Sequence, residues 1–509
     1  MNSPRNPFRV LRQRAIWIPL TVLFCIWAVL YLPQLRTSPA WYGDETLTLM
    51  IGKSLFAGAG NDRALQATFW HPSYSYQPGY AWLVGWAASI AGNDILGARL
   101  LNVVLALIIA LVLFFLGSRP FGRIAALLAA IVFLTYGQSV IHFRWIYPHN
   151  AVALGFTLTV LCLLRKSSWK SDWGAGAGLA LAAVSHPLFA HGAIAAWLCR
   201  IKRPISWVRM AMLPLLAVVA SLGWTLLRQS PHLWVIDDMR TLAEFYQKFS
   251  VENGAGFQVF ENIGRFYTQD FFHIGSAVAA IICCNRRYYP VAIFLGVVSG
   301  LLLQNRQNLP VFYYQAIVFL PVLAMAWAGA LRTIQIRLRR RLGRKSWTRW
   351  FPLAICAVPV FFFLQTIGPA VSGKLVSRNH PWVTQNVQEV EAAAAWLNER
   401  VGPDDLVVCH QNIGWLLNSH TADLMQATAW TGRPTFTFEK TLEKERFRYS
   451  ADLHAARFLV IGDIDQRWTL SQPNVSWIVE EISRLRWPIV WRGENYIIVE
   501  NPNPRTGNQ

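Results

Sequence analysis

The sequence predicts an all-α membrane protein of about eleven transmembrane helices with a small extracytoplasmic α/β domain at its C-terminal end. Three observations predict it. Of 509 residues, 54% are hydrophobic and only 15% are charged, which is too apolar for a soluble chain of this length. Apolar runs recur from residue 16 to residue 369, and beyond residue 385 they give way to short alternating segments. The basic residues gather in short loops on one side of those runs.

The runs lie near residues 16–33, 96–117, 124–141, 149–164, 174–189, 190–199, 207–227, 273–284, 290–303, 312–331 and 350–369. Several fall short of the roughly 17–25 residues that a straight span needs. Those at 174–199, around Ser185-His186-Pro187, and at 273–284 are expected to be tilted, broken or no spans at all. The first run follows Arg5, Arg9, Arg12 and Arg14 and is longer than a cleaved signal's apolar region, so it reads as a retained signal anchor.

Threading the chain with its N-terminus in the cytoplasm places twenty-three Lys and Arg residues in cytoplasmic segments, eight of them between Arg332 and Arg349, against one acid, Asp172. These exceed the whole formal charge of +20, so the positive-inside rule accounts for the basic balance. Nucleic acid is excluded as a partner on the same ground, because the cations sit in separate juxtamembrane loops and not on one surface. Of seven cysteines only Cys409 lies in an exported region, so no disulfide framework or Cys-rich metal motif exists. That pattern leans towards a bacterial plasma membrane. Tryptophans such as Trp41, Trp70, Trp145, Trp173 and Trp207 stand near span ends, as interfacial belts require.

This topology makes residues 1–369 a transmembrane module and leaves three large pieces outside: residues 34–95, residues 228–272 and the α/β domain at 370–509. The first outer loop opens on Trp41-Tyr42-Gly43-Asp44-Glu45-Thr46 and continues into a helix. Its apolar positions Leu47, Met50, Ile51 and Leu55 recur at helical spacing opposite Thr48, Lys53 and Ser54, so it is expected to lie flat on the outer membrane surface. Residues 77–91 are apolar but short and suit a second interfacial or re-entrant helix, since a span there would turn the Arg332–Arg349 cluster outward. In the last domain, residues 385–401 are helix-like, Leu406-Val407-Val408 and Arg457–Gly462 read as strands, and Pro488–Trp491 with Tyr496–Val499 reads as a closing hairpin.

The order of several short motifs resembles the superfamily of polytopic, polyprenyl-phosphate-dependent glycosyltransferases of the GT-C type, which includes protein O-mannosyltransferases and the lipid A aminoarabinose transferase. The features are Asp44-Glu45 after the first span, Gln77-Pro78-Gly79-Tyr80-Ala81-Trp82 before Gly92-Asn93-Asp94, and Arg99 opening the next span. Arg119-Pro120-Phe121-Gly122-Arg123 follows in the first cytoplasmic turn, and Leu309-Pro310-Val311-Phe312-Tyr313-Tyr314 leads into the span with Leu320-Pro321. The resemblance covers residues 10–165 well and the rest loosely. It implies a GT-C-like fold and transfer of a sugar from a polyprenyl-phosphate donor to a lipid, glycan or protein acceptor on the outer side, a transfer expected to proceed with inversion. It also implies that Asp44 is the base or orients the acceptor, with Glu45 beside it. The aminoarabinose transferases carry a basic residue shortly after the acidic pair, where this chain has Leu47, and Lys-Pro where this chain has Gln77-Pro78.

The chemistry asks for the residue types found. A sugar leaving a lipid phosphate needs a base beside the acceptor, cations for the phosphate and an apolar wall for the lipid. Arg99, Arg144, His149 and Arg306, at outer ends of spans, and His71 in the first loop are the phosphate candidates, joined by Tyr76, Gln77 and Tyr314 as substrate-binding candidates. Each has a bland alternative: Asp44 as a helix cap, the arginines as snorkelling anchors, His186 and His191 as hydrogen-bonded core groups, Asp237 and Asp238 as solvated loop charges. Asn474-Val475-Ser476 matches a glycosylation sequon by pattern. No metal is assigned, and a divalent cation stays open as a cofactor. Two rival functions remain at this point, a transporter or lipid flippase and a non-catalytic scaffold, though no inverted repeat of the kind transporters carry is evident.

Overall fold

The computed structural model describes residues 7–57, 78–92, 94–229, 258–303, 317–342, 356–376, 384–435, 442–472 and 474–504. In chain order the helices of the first three hundred residues are α1 (Pro7–Tyr31), α2 (Gly43–Ala57), α3 (Pro78–Ile90), α4 (Ile95–Phe121), α5 (Arg123–Thr135), α6 (Gly137–Arg144), α7 (Pro148–Leu163), α8 (Trp169–Ala183), α9 (Phe189–Cys199), α10 (Pro204–Gln229), α11 (Gln258–Tyr267), α12 (Phe271–Ile282) and α13 (Tyr289–Leu303). After them come α14 (Leu320–Leu342), α15 (Ala357–Ser372) and α16 (Val387–Asn398). The chain divides into two compact units, the first made of Met1–Pro39, Arg99–Leu222 and Lys248–Arg378, the second of Ala40–Ala98, Gly223–Gln247 and Asn379–Gln509. The second unit draws residues 40–98 together with the C-terminal residues, a grouping that a linear boundary near residue 370 does not contain.

Among the described residues the regular elements of the first unit are helices. Among the described residues Ile95–Phe121, Pro204–Trp224 and Ile317–Arg341 are long and apolar enough to cross a bilayer, and the bent pair α5–α6 makes a fourth. Six shorter apolar helices accompany them. The run expected at 124–141 is not straight: it bends by 63° at Tyr136, whose backbone is extended, before Gly137 restarts the helix. The run expected around 174–199 is likewise broken, because α8 ends at Ala183 and α9 begins at Phe189 with Pro187 between them, and a proline disfavours helix at the residue before it. α14 runs past the expected end of its apolar stretch and carries Arg332, Arg337, Arg339, Arg340 and Arg341 on helix, not loop. Exposed apolar side chains stud α10 (Ile205, Val208, Leu215, Leu216, Val219) and α15 (Val360, Leu364), a surface that suits lipid and not water. This is an integral membrane protein.

Without a hydrophobic force between helices in lipid, close approach of backbones does the packing. Gly155 and Gly178 mark one such crossing, of α7 on α8, where a side chain on Gly178 would sit 2.5 Å from the Gly155 carbonyl and from Thr159 Oγ1. Thr159 also donates to the carbonyls of Gly155 and Ala175.

The second unit holds the strands. β1 (Trp41–Tyr42) pairs antiparallel with β2 (Thr384–Gln385), with Trp41 opposite Gln385. A five-stranded sheet of β3 (Leu406–Val408), β4 (His420–Ala422), β5 (Ala456–Gly462), β6 (Ile489–Arg492) and β7 (Tyr496–Glu500) runs in the order β4-β3-β5-β7-β6. β3 is parallel to β4 and β5, while β5–β7 and β6–β7 are antiparallel, so the chain ends in the hairpin read from the sequence. β5 is central and its Phe458 to Gly462 are buried, as a continuous apolar run demands. Leu459, Ile461, Val408, Leu453, Val475 and Ile478 share one core.

In the same unit α2 crosses α3 at Gly52 and Gly85. The α2 positions Leu47, Met50 and Ile51 pack with Ala81 of α3, Leu55 and Trp415. α2 does not match the expected surface helix, because Glu45 to Gly52 are all buried, Thr48 among them, and Lys53 lies over the Trp415 ring at 5.1 Å. The exposed apolar side chains stand on α3 instead, at Trp82, Leu83, Trp86 and Ile90.

A Cβ on Gly85 would collide with the Gly52 carbonyl and Lys53 N, backbone atoms that cannot step aside. Gly85→Ala is therefore expected to cost roughly 1–3 kcal/mol and lower the thermal midpoint of the detergent-solubilised protein. Gly300→Ala, which lies in α13 and meets nothing within 4 Å, should not lower that midpoint.

Candidate active site

The acidic pair sits where β1 turns into α2. Gly43 opens the helix, so Asp44 and Glu45 both fall in its first turn, where free N–H groups attract carboxylates. The two carboxylates do different things. Glu45 is fully buried, and its Oε2 accepts from the Tyr42 N–H at 3.3 Å, the return half of a capping box. Asp44 is half-buried, and its carboxylate accepts no hydrogen bond from the described residues. Burial without compensation pushes the Asp44 carboxyl up to about 6. The helix cap expected of Asp44 is thus supplied by its neighbour, and the Asp44 carboxylate is left without a hydrogen bond from the described residues.

The C-terminal domain grips the backbone on both sides of Asp44. Gln411 Nε2 donates to the Gly43 carbonyl at 3.2 Å, and the Thr46 hydroxyl donates to Asn412 Oδ1 at 2.6 Å. Gln411 and Asn412 follow β3 in a short turn capped by His410, whose Nδ1 accepts from the Asn412 N–H at 3.3 Å. An acceptor nitrogen must be neutral, and burial holds His410 down at about 3. The packing around Gly43 is close, since a Cβ there would lie 3.1 Å from Ile464 Cδ1 and 3.6 Å from the His410 ring. The Trp41 ring meets the Trp415 ring edge-on at 5.3 Å. Sequence reasoning missed Gln411 and Asn412 altogether.

Two further buried carboxyls stand at the carboxyl ends of the parallel strands. Asp423, after β4, caps the helix Leu424–Trp430 through the Gln426 N–H, and burial raises it to about 6. Asp465, after β5, accepts from the Gly462 N–H at 3.0 Å and from Thr469 at 3.2 Å. Burial, with Asp423 adding to it, raises Asp465 to about 7. Among the described residues no group of three or more His, Cys, Asp or Glu side chains gathers to hold a metal ion.

The remaining described candidates lie in the first unit. Arg99 is fully buried, and its Nη1 donates to the carbonyls of Leu35, Arg36 and Pro39. Arg144, also fully buried, donates to Ser38 O at 3.0 Å and Leu30 O at 2.6 Å. The two guanidiniums therefore hold the segment that leaves α1, with its carbonyls stabilising charges that lipid would not. His149 is buried, with its ring 4.5 Å from that of His186, which itself accepts from the Leu188 N–H. A second polar cluster, which the sequence did not flag, joins the α5–α6 bend to the start of α12: the Tyr136 hydroxyl donates to Asp270 Oδ2 at 2.8 Å, and His273 Nδ1 meets Asp270 Oδ1 at 2.8 Å. His71, Tyr76, Gln77, Arg306, Tyr314, Asp237 and Asp238 lie outside the described residues.

No protein-family model matches the chain, and no curated protein does. Solved structures do. ArnT from Cupriavidus metallidurans in the apo state is similar at a TM-score of 0.64 and 14% identity, over 98% of this chain and 100% of that one. The same protein bound to undecaprenyl phosphate gives 0.62 at 14% identity, over 97% and 99%. The archaeal oligosaccharyltransferase AglB from Archaeoglobus fulgidus, in complex with an inhibitory peptide and a dolichol-phosphate, gives 0.53 at 11% identity, over 89% of this chain and 70% of that one. The likeness shows a shared fold, the GT-C class of membrane protein.

Glu45→Gln keeps an oxygen for the Tyr42 N–H and is expected to retain most of any activity the chain has, while Glu45→Ala loses the cap and about 1 kcal/mol of stability in a denaturation assay. The raised carboxyls give a second expectation. A carboxyl whose folded pKa lies above its unfolded value binds protons more tightly in the folded state, so its stabilisation is full in acid and lost as pH rises through the folded pKa. The thermal midpoint should therefore fall as pH rises from about 4 to about 7, and Asp465→Asn should flatten that slope.

Proposed function

We propose that the chain is an integral-membrane glycosyltransferase that moves a sugar from a polyprenyl-phosphate donor to an acceptor on the outer side of the membrane, with inversion. Asp44 is the base. The acceptor, a lipid, glycan or protein hydroxyl or amine, gives its proton to Asp44 as it attacks the anomeric carbon. The bond from that carbon to the phosphate oxygen breaks, and the polyprenyl phosphate departs with the electron pair. Attack opposite the leaving group inverts the anomeric centre.

The observation that carries this reading is the divergence of two adjacent carboxylates: Glu45 is engaged by the helix start, whereas Asp44 accepts no hydrogen bond from the described residues and burial raises its carboxyl to about 6. A base works best when its pKa lies near the working pH. The shared fold with ArnT and AglB supports the donor class, since those proteins were solved with undecaprenyl phosphate and a dolichol-phosphate. The phosphate role is proposed for Arg99, Arg144 and His149 and, outside the described residues, for His71, Arg306, Tyr76, Gln77 and Tyr314. In this proposal the N-terminus is cytoplasmic, about eleven spans follow, and residues 34–95, 228–272 and 370–509 lie outside a bacterial plasma membrane.

Asp44→Asn should abolish release of polyprenyl phosphate from labelled undecaprenyl-phospho-sugars, by roughly 10²–10⁴-fold, with expression and membrane insertion intact. The wild-type rate should fall on the acid side of about pH 6, where the base becomes protonated. An Asn variant that turns over normally sinks the assignment, and a protein that moves lipid without releasing polyprenyl phosphate is a flippase.

A further inference from the structure

We infer that Asn412 and Gln411 of the C-terminal domain are positioning residues for Asp44, and that the crevice at the carboxyl ends of the parallel strands is occupied by the chain's own acidic helix start.

In an open α/β sheet the strand order reverses at one point, and the loops there diverge to leave a crevice in which such folds bind ligands. Here that point is β3, flanked by β4 on one side and β5 on the other. The turn after β3 supplies His410, Gln411 and Asn412, and the turn after β5 supplies Ile464. All four face one short stretch of backbone. Gln411 donates to Gly43 O, Asn412 accepts from Thr46, and Ile464 and the His410 ring close on the space where Gly43 lacks a Cβ. Gly43 and Thr46 bracket Asp44, and the same hydroxyl of Thr46 also reaches Gly43 O at 3.4 Å.

The bond from Thr46 to Asn412 crosses 366 residues of sequence and is fully buried at both ends. A buried bond of this kind fixes the backbone on which Asp44 stands without touching its carboxylate. It acts on the direction of the base, a quantity to which transfer rates are sensitive, since displacement of a catalytic group by about 1 Å can cost about a hundredfold. The inference rests on Asp44 being the base.

The test measures turnover of undecaprenyl-phospho-sugar by the full-length protein in detergent, with the thermal midpoint recorded for every variant. Thr46→Val removes the hydroxyl at constant shape, Thr46→Ser restores it, and Asn412→Leu removes the acceptor. Thr46→Val and Asn412→Leu are each expected to lower kcat by about ten- to a hundredfold with the donor KM within about twofold. Thr46→Ser should stay near wild type, and the double variant should be no slower than the slower single, because both break the same bond. A purely structural bond would move the midpoint and leave kcat alone. If Asn412→Leu does not fold, the Val and Ser variants at Thr46 decide. Wild-type kcat in Thr46→Val, or a double variant that loses the product of the two effects, overturns the inference. Asp44→Asn run alongside separates the two ideas: if it is inert while Thr46→Val is normal, only the positioning role falls, and if it is active, the base assignment falls and takes the positioning role with it.

Discussion

Everything specific about the candidate site follows from the bond between the Glu45 carboxylate and the Tyr42 N–H. A helix start offers free N–H groups and a positive dipole end, and either of two adjacent carboxylates could meet them. Because Glu is one methylene longer and sits at the third helical position, it can fold back to the residue before the helix, as a capping box requires. Asp44 at the second position has no such reach. The result is a division of labour between chemically similar groups: one is hydrogen-bonded by the backbone, and the other is desolvated without a hydrogen bond from the described residues, which lifts its affinity for a proton.

A desolvated carboxylate costs stability, and the surrounding structure shows how that cost is carried. The helix start is held by Gln411, by Asn412 and by close packing on Gly43. α2 is held by the contact of Gly52 with Gly85, where two backbones touch because neither residue has a side chain. In the first unit Arg99 and Arg144 anchor the segment leading to Pro39 by donating to its carbonyls. Buried guanidiniums need acceptors, and a loop with no regular structure has carbonyls to give. Arg99 Nη1 and both Arg144 terminal nitrogens find carbonyls in this way, so the two cations serve the backbone that precedes the acidic pair.

Much of this was legible in the sequence, and what was not has physical reasons. The acidic pair, the short helix at Pro78–Ile90, the strand at Ala456–Gly462 and the closing hairpin follow from local period and turn residues, and those are local properties. The bend at Tyr136 was hidden because both halves of the run are equally apolar. The burial of α2 was misread because Thr48 and Lys53 look like a wet face; Thr48 is fully buried with its hydroxyl bonded to Asp44 O, and Lys53 lies over Trp415. Snorkelling and aromatic stacking leave no periodic trace. Gln411 and Asn412 were invisible for a stronger reason: a contact between residues 46 and 412 is a property of topology, and no window along the chain contains both.

The same topology bears on why an α/β domain accompanies a helical membrane unit. Helices in lipid can present apolar walls and paired charges, but they cannot easily bring convergent polar loops to one point, since every free N–H and C=O in lipid must be satisfied. A parallel sheet can, because its strand ends release loops at a switch point. In this chain the loops after β3 and β5 converge on Gly43 and Thr46. A switch point that in other folds receives a ligand here receives the first turn of α2, and Asp44 within that turn has a carboxylate that accepts no hydrogen bond from the described residues.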